Sequence, residues 1–203
     1  MRVKVCGITR LEDALDATSQ GAWALGFNFY PHSLRFIQYR AAKEIITSLP
    51  SKVIKVGIFI DVDDAEITNR LAELKLDYAQ VYSHKKRPKS LLQRMILALQ
   101  AKDEASLPAE KFLMQYNAIL LDAKPLADNL KGGTGRLANW SLAKKLAKKY
   151  KLILAGGLTS HNVKQAILQV NPYAVDVASG VEAKPRIKDK AKIKAFLEAC
   201  REE

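Results

Sequence analysis

Short apolar runs bounded by turn signals alternate along this chain with longer stretches whose apolar residues recur at three- and four-residue steps. The runs predict strands at Arg2–Cys6, Ala22–Phe27, Val53–Ile60, Asp77–Tyr82, Met95–Gln100, Asn117–Leu121, Leu152–Ala155 and Ala174–Val177. The periodic stretches predict helices at Leu11–Ser19, Arg40–Leu49, Asp64–Leu74, Pro88–Arg94, Leu107–Tyr116, Leu137–Lys149, His161–Val170 and Ala191–Arg201. The first helix opens on Thr9-x-x-Glu12, the spacing of a capping box. Strict strand–helix alternation predicts parallel pairing, because each helix carries the chain back to begin the next strand.

Eight such units in 203 residues leave about 25 residues each, enough for a minimal (β/α)8 barrel of the α/β class. A doubly wound open sheet is the alternative, but G-x-G-x-x-G is absent after the first strand. No linker rich in Pro, Gly or Ser divides the chain, so one domain spanning residues 1–203 is expected. A hydrophobic content of 48% excludes disorder, and no apolar run reaches the ~18 residues of a membrane span. Met1-Arg2-Val3-Lys4 leads directly into patterned sequence, which predicts a cytoplasmic protein. Cys6 and Cys200 match neither a metal spacing nor a disulfide framework, and Cys200 follows Ile193, Phe196 and Leu197 on an apolar face.

Lys and Arg number 33 against 21 Asp and Glu, a net charge of +12. Much of this excess lies at Lys144, Lys145, Lys148, Lys149 and Lys151, opposite Leu142 and Leu146 on one helix, as on a solvated helix face. The three histidines, His32, His84 and His161, are too scattered to suggest a metal site.

In a parallel barrel the loops that follow the strands form the active rim. Cys6 ends the first strand just before a helix, where a helix dipole and a nearby cation would lower a thiol's pKa; it equally suits a small buried hydrophobe. Asp122 follows the sixth strand, where burial would help a carboxyl hold a proton, although capping or loop bracing would also account for it. Gly132-Gly133-Thr134-Gly135-Arg136 beyond it reads as a cover or a turn. The seventh strand ends in Ala155-Gly156-Gly157-Leu158 and the eighth in Asp176-Val177-Ala178-Ser179-Gly180-Val181. Two small-residue turns on adjacent strands of a barrel suit a phosphate held by backbone N–H groups. Arg35, after the second strand, has the fork to clamp a carboxylate.

In order along the chain, Lys4-Val5-Cys6-Gly7-Ile8-Thr9, Ala24-Leu25-Gly26-Phe27 with Pro31-x-Ser33-x-Arg35, and Val56-Gly57-Ile58-Phe59 are followed by Leu120-Leu121-Asp122 with Gly132-Gly133-Thr134-Gly135, Leu154-Ala155-Gly156-Gly157-Leu158, and Asp176-Val177-x-Ser179-Gly180-Val181-Glu182. Together they resemble the phosphoribosylanthranilate isomerase family of tryptophan biosynthesis over nearly the whole chain. The resemblance implies a (β/α)8 barrel that isomerises N-(5′-phosphoribosyl)anthranilate to 1-(2-carboxyphenylamino)-1-deoxyribulose 5-phosphate by an Amadori rearrangement, with no cofactor and no metal. It places the general base at Cys6 and the general acid at Asp122, and implies that Arg35 positions the anthranilate. Backbone around Gly157, Ser179 and Gly180 is implied to hold the phosphate, with Asp176 orienting. Where the family commonly reads Val-Gln-Leu-His-Gly, this chain has Ala79-Gln80-Val81-Tyr82-Ser83, which leaves Gln80 as a binding candidate, and Leu97 stands where a lysine is common.

The implied partner is a small phosphorylated substrate, with the protein a monomer or homodimer and no membrane or specific nucleic acid involved. A different phosphosugar enzyme on a related barrel, such as a ring-closing one, would be expected to place lysine and glutamate at its strand ends. A site-decayed barrel that binds nucleic acid would use the positive charge, but aromatic residues make up only 7% of the chain and no basic–aromatic platform is present.

Overall fold

Strand residues in this chain are sorted by period-two alternation between two cores, one inside a closed sheet and one between sheet and helices. The computed structural model describes residues 1–123 and 138–201. Eight parallel strands, β1 (Arg2–Cys6), β2 (Ala24–Asn28), β3 (Ile54–Phe59), β4 (Tyr78–Val81), β5 (Met95–Leu99), β6 (Ala118–Leu121), β7 (Leu152–Leu154) and β8 (Ala174–Val177), pair in sequence order, and β8 returns to β1 to close the barrel. Val3, Val5, Leu25, Phe27 and Phe59 point outward into the sheet–helix core. Inside, Ala24, Val56, Ile96, Ala98, Ala118, Leu120, Ile153, Ala155 and Ala174 form a second cluster. The (β/α)8 barrel is the one predicted by the alternation.

Helices α1 (Leu11–Ser19), α2 (Tyr39–Thr47), α3 (Asp64–Glu73), α4 (Lys89–Leu92), α5 (Glu110–Leu113), α6 (Trp140–Ala147), α7 (Val163–Val170) and α8 (Lys190–Ala199) supply the crossovers. Asp63, Asn139 and Asp189 cap α3, α6 and α8 by accepting from Glu66 N (2.7 Å), Leu142 N (3.0 Å) and Lys192 N (3.0 Å). Lys144, Lys145, Lys148, Lys149 and Lys151 are exposed. No helix among the described residues is long and apolar enough to cross a membrane.

Three local expectations are corrected. The predicted capping box at Thr9 does not form: α1 is entered through Arg10, and the Thr9 hydroxyl donates to Arg186 O at 2.7 Å, tying the first loop to the far end of the chain. The fifth helix is a single turn, because Pro108 forces Leu107 into extended backbone (φ −81°, ψ 146°) and leaves a separate 3-10 turn at Glu104–Ser106. The fourth is equally short, starting only after Pro88. An unpredicted antiparallel hairpin, β9 (Glu182–Lys184) with β10 (Ile187–Lys188), folds back beside the end of β8 after a 3-10 turn at Ser179–Val181. The loop motif at Gly132–Arg136, and Leu137, lie outside the described residues.

These assignments make opposite predictions for two acidic residues. Asp63→Ala should lower unfolding stability by about 1 kcal/mol through loss of a cap, whereas Glu12→Ala should stay within about 0.5 kcal/mol; urea denaturation of the two variants checks both.

Candidate active site

Interior alternation brings a charged floor to the barrel. On β1 the inward positions include Lys4 and Cys6, and Lys4 is the register partner of Asp176 on β8. Lys4 is 0% exposed and donates to Asp176 Oδ1 at 2.7 Å and to Gln80 Oε1 on β4 at 3.2 Å. Gln80 in turn donates through Nε2 to the Tyr82 hydroxyl at 3.3 Å. Burial presses Lys4 toward neutrality, but the charge and hydrogen bond of Asp176, with Cys6, outweigh it and hold the ammonium charged.

Above this floor opens a cleft at the C-terminal ends of the strands, lined by Cys6, Arg35, Gln80, Tyr82, Asp122, Gly157, Asp176 and Ser179 among others. Cys6 is partly exposed there. Burial pushes its thiol above the ordinary value and the Asp176 carboxylate adds to the rise, while Lys4 and Lys188 pull it down. The expectation of a lowered thiol pKa is therefore corrected: desolvation exceeds what the lysines supply. Asp122, just past β6, is raised to about 6, chiefly by burial and then by Asp176; the Ala123 N–H, 2.8 Å from Oδ1, and Lys4 oppose the rise.

The loop after β2 delivers Arg35. Asn28 donates to Ser33 Oγ (3.0 Å), which accepts from Arg35 N (3.1 Å), so the loop is shaped by its own side chains. The guanidinium fork is already engaged: Nε and Nη2 donate to the two oxygens of Glu182 at 2.8 and 2.6 Å. Glu182 thereby occupies the Nε–Nη2 edge of Arg35. Lys188 completes the cluster, its Nζ donating to Glu182 Oε1 (3.1 Å) and Ala178 O (3.0 Å), and its N–H to Asp13 Oδ2 (3.0 Å). Burial would raise the Glu182 carboxyl, but Arg35 and Lys188 overcome it and hold the group below the usual carboxylate range.

The turns after β7 and β8 lie side by side. Gly156 and Gly157 have φ of +86° and +61°, a backbone that a side chain would strain, and Asn162 Nδ2 donates to Gly157 O at 3.0 Å. Gly180 is needed for a different reason: a Cβ there would collide with the carbonyl oxygen of Leu158. Ser179 and Gly157 line the cleft, whereas Gly180 is not among its lining residues and presses the two turns together.

Seven of the eight residues singled out from sequence, all but Gly180, therefore share one cleft. Sequence reading missed Lys4, Tyr82, Glu182 and Lys188. Lys4 was legible in outline, since a lysine between two outward valines, two positions before Cys6, must face the barrel interior. Glu182 and Lys188 were not, because the hairpin that carries them was not foreseen.

The raised Asp122 carboxyl has a stability consequence. Because its folded pKa of about 6 exceeds the model-peptide value of 3.8, wild type loses stability as pH rises between them. Asp122→Asn should thus be more stable than wild type at pH 8, by at most about 3 kcal/mol, with the gap closing below about pH 4; denaturant unfolding at the two pH values measures it.

Residues 3–199 match the family described as N-(5′-phosphoribosyl)anthranilate (PRA) isomerase. The N-(5′-phosphoribosyl)anthranilate isomerase of Pelobacter propionicus is 41% identical over 206 residues, covering 100% of this chain and 96% of that protein. The crystal structure of phosphoribosyl anthranilate isomerase from Thermotoga maritima superposes with a TM-score of 0.84 at 37% identity, covering 98% of each chain. A phosphoribosyl anthranilate isomerase in complex with reduced 1-(o-carboxyphenylamino)-1-deoxyribulose 5-phosphate gives a TM-score of 0.81 at 36% identity, over 98% of this chain and 97% of that one. With barrel, cleft and full-length similarity in agreement, the chain belongs to the N-(5′-phosphoribosyl)anthranilate isomerase family of tryptophan biosynthesis.

Proposed function

We propose that Cys6 and Asp122 are the base and the acid with which this protein isomerises N-(5′-phosphoribosyl)anthranilate to 1-(2-carboxyphenylamino)-1-deoxyribulose 5-phosphate. The observation that carries this assignment is a thiol and a carboxyl of raised proton affinity lining one cleft whose rim is made by the paired turns after β7 and β8. Asp122 gives its proton to the furanose ring oxygen, the C1′–O bond breaks, and the nitrogen lone pair forms the C=N of a protonated Schiff base. Cys6 as thiolate then takes the C2′ proton; the released electron pair forms C1′=C2′ and returns the C=N pair to nitrogen. The resulting enolamine tautomerises to the ketone.

This sequence needs Asp122 protonated and Cys6 ionised. At pH 7 burial keeps a proton on the Cys6 thiol while Asp122, at about 6, is largely ionised, and moving one proton from sulfur to carboxylate gives the working form with the same total. An anionic substrate near Asp122 favours its protonated form.

The remaining roles follow from placement. Arg35, fixed by Glu182, offers its free edge to the substrate carboxylate. The turns at Gly157 and Ser179 are anchored through the carbonyls of Gly157 and Ala178, which leaves backbone N–H groups for the phosphate. Gln80 and Asp176 meet the ribose side of the cleft floor. Both cysteines are unpaired, which suits work in a reducing cytoplasm.

In a coupled assay, Cys6→Ala and Asp122→Ala should each lower kcat by roughly 10²-fold or more, and near-wild-type turnover by either variant would remove that residue from its role. Gly180→Ala, which separates the two turns, should raise KM roughly tenfold or more with a smaller change in kcat, as expected when a hydrogen bond to a charged group is lost; steady-state kinetics on the phosphorylated substrate reads the split.

A further inference from the structure

The barrel interior is apolar at most of its inward positions, so the sealed Lys4–Asp176 pair is unusual for its surroundings. Replacing a buried ion pair with apolar residues is often neutral or stabilising, so folding alone gives little reason for it. An ammonium has three donors and no acceptor; Lys4 gives one to Asp176 at 2.7 Å and one to Gln80 at 3.2 Å, and its charge acts on Cys6, two residues along the same inward strand face. The cation therefore joins β1, β4 and β8 on the strand face that also carries Cys6. We propose that Lys4 is a positioning residue for the isomerisation, a fixed counter-ion of the Cys6 thiolate, with Asp176 setting how much of its charge the sulfur feels.

The inference rests on Cys6 as the base and adds what makes that base available. A thiolate in a desolvated wall needs a cation that does not move away, and Lys4, 0% exposed and held by Asp176 and Gln80, has nowhere to go. Asp176 shares that cation, which keeps the sulfur basic enough to take a proton from carbon. The other groups around Cys6 are Lys188 from the hairpin, Arg35 from the loop after β2, and Tyr82 from the end of β4; Asp122 also feels Lys4 from β6. Lys188 and Arg35 share the single carboxylate of Glu182, which compensates one of their two charges.

The test is the rate of Cys6 alkylation by iodoacetamide between about pH 6 and 10, read by mass spectrometry of the Cys6 peptide, in wild type, Lys4→Met, Asp176→Asn and the double variant. Lys4→Met should slow alkylation at pH 8 about tenfold, the effect of a one-unit rise in the thiol midpoint, and Asp176→Asn should speed it. Opposite effects from the two halves of one ion pair are what a counter-ion produces and a loosened site does not. An unchanged midpoint in Lys4→Met, or shifts of the same sign in both single variants, would overturn the proposal. If Lys4→Met alone fails to fold by circular dichroism, the double variant, free of any lone buried charge, is compared with Asp176→Asn: slower alkylation in the double variant supports the counter-ion and equal rates refute it. Turnover by Cys6→Ala is a separate readout, so a wrong base and a wrong counter-ion give different results.

Discussion

A closed sheet of eight parallel strands has a single inward space, and whatever stands inward on one strand must be reconciled with what stands inward on its neighbours. In this chain that constraint is met at most levels by alanine and branched aliphatic side chains, and at one level by the Lys4–Asp176–Gln80 contact. The level above it holds Cys6 and Asp122, so the chemistry sits directly on the electrostatics of the floor. Asp176 raises both the thiol and the carboxyl, while Lys4 opposes it at both. One ion pair thus acts on the acid and the base together.

The rim is organised by a second charged cluster with a different purpose. Glu182 receives Arg35 and Lys188 at once, which fixes the loop after β2 against the hairpin after β8. Where the floor adjusts proton affinity, this cluster sets position: it orients a guanidinium, braces the carbonyl of Ala178 through Lys188, and so steadies the turn that begins at Ser179.

The barrel was readable in sequence because strand alternation and helical spacing are local signals, repeated in every unit from Arg2 to Ala199. So was the membership of the cleft, since Cys6, Asp122, Gly157 and Ser179 each follow or end a strand. The interactions that give those residues their properties were not readable. Lys4 meets Asp176 across 172 positions, Arg35 meets Glu182 across 147, and Lys188 meets Asp13 across 175. No window of sequence contains such a pair. The Thr9 misreading has the same cause: its hydroxyl has a local partner available in principle, but closure of the barrel brings Arg186 O within 2.7 Å. The direction of the Cys6 shift likewise depends on how deeply the sulfur is desolvated, which spacing does not encode.

The length of these separations also bears on synthesis. Asp176 follows Lys4 by 172 positions and Glu182 follows Arg35 by 147, so a growing polypeptide carries both cations through that length before their carboxylate partners exist. Until β8 emerges, the first strand has one open edge and its lysine must remain hydrated. The Asp176 carboxylate therefore arrives with the segment that closes the ring, and a nascent chain short of that segment holds the base, the acid and Lys4 without the charge that raises both.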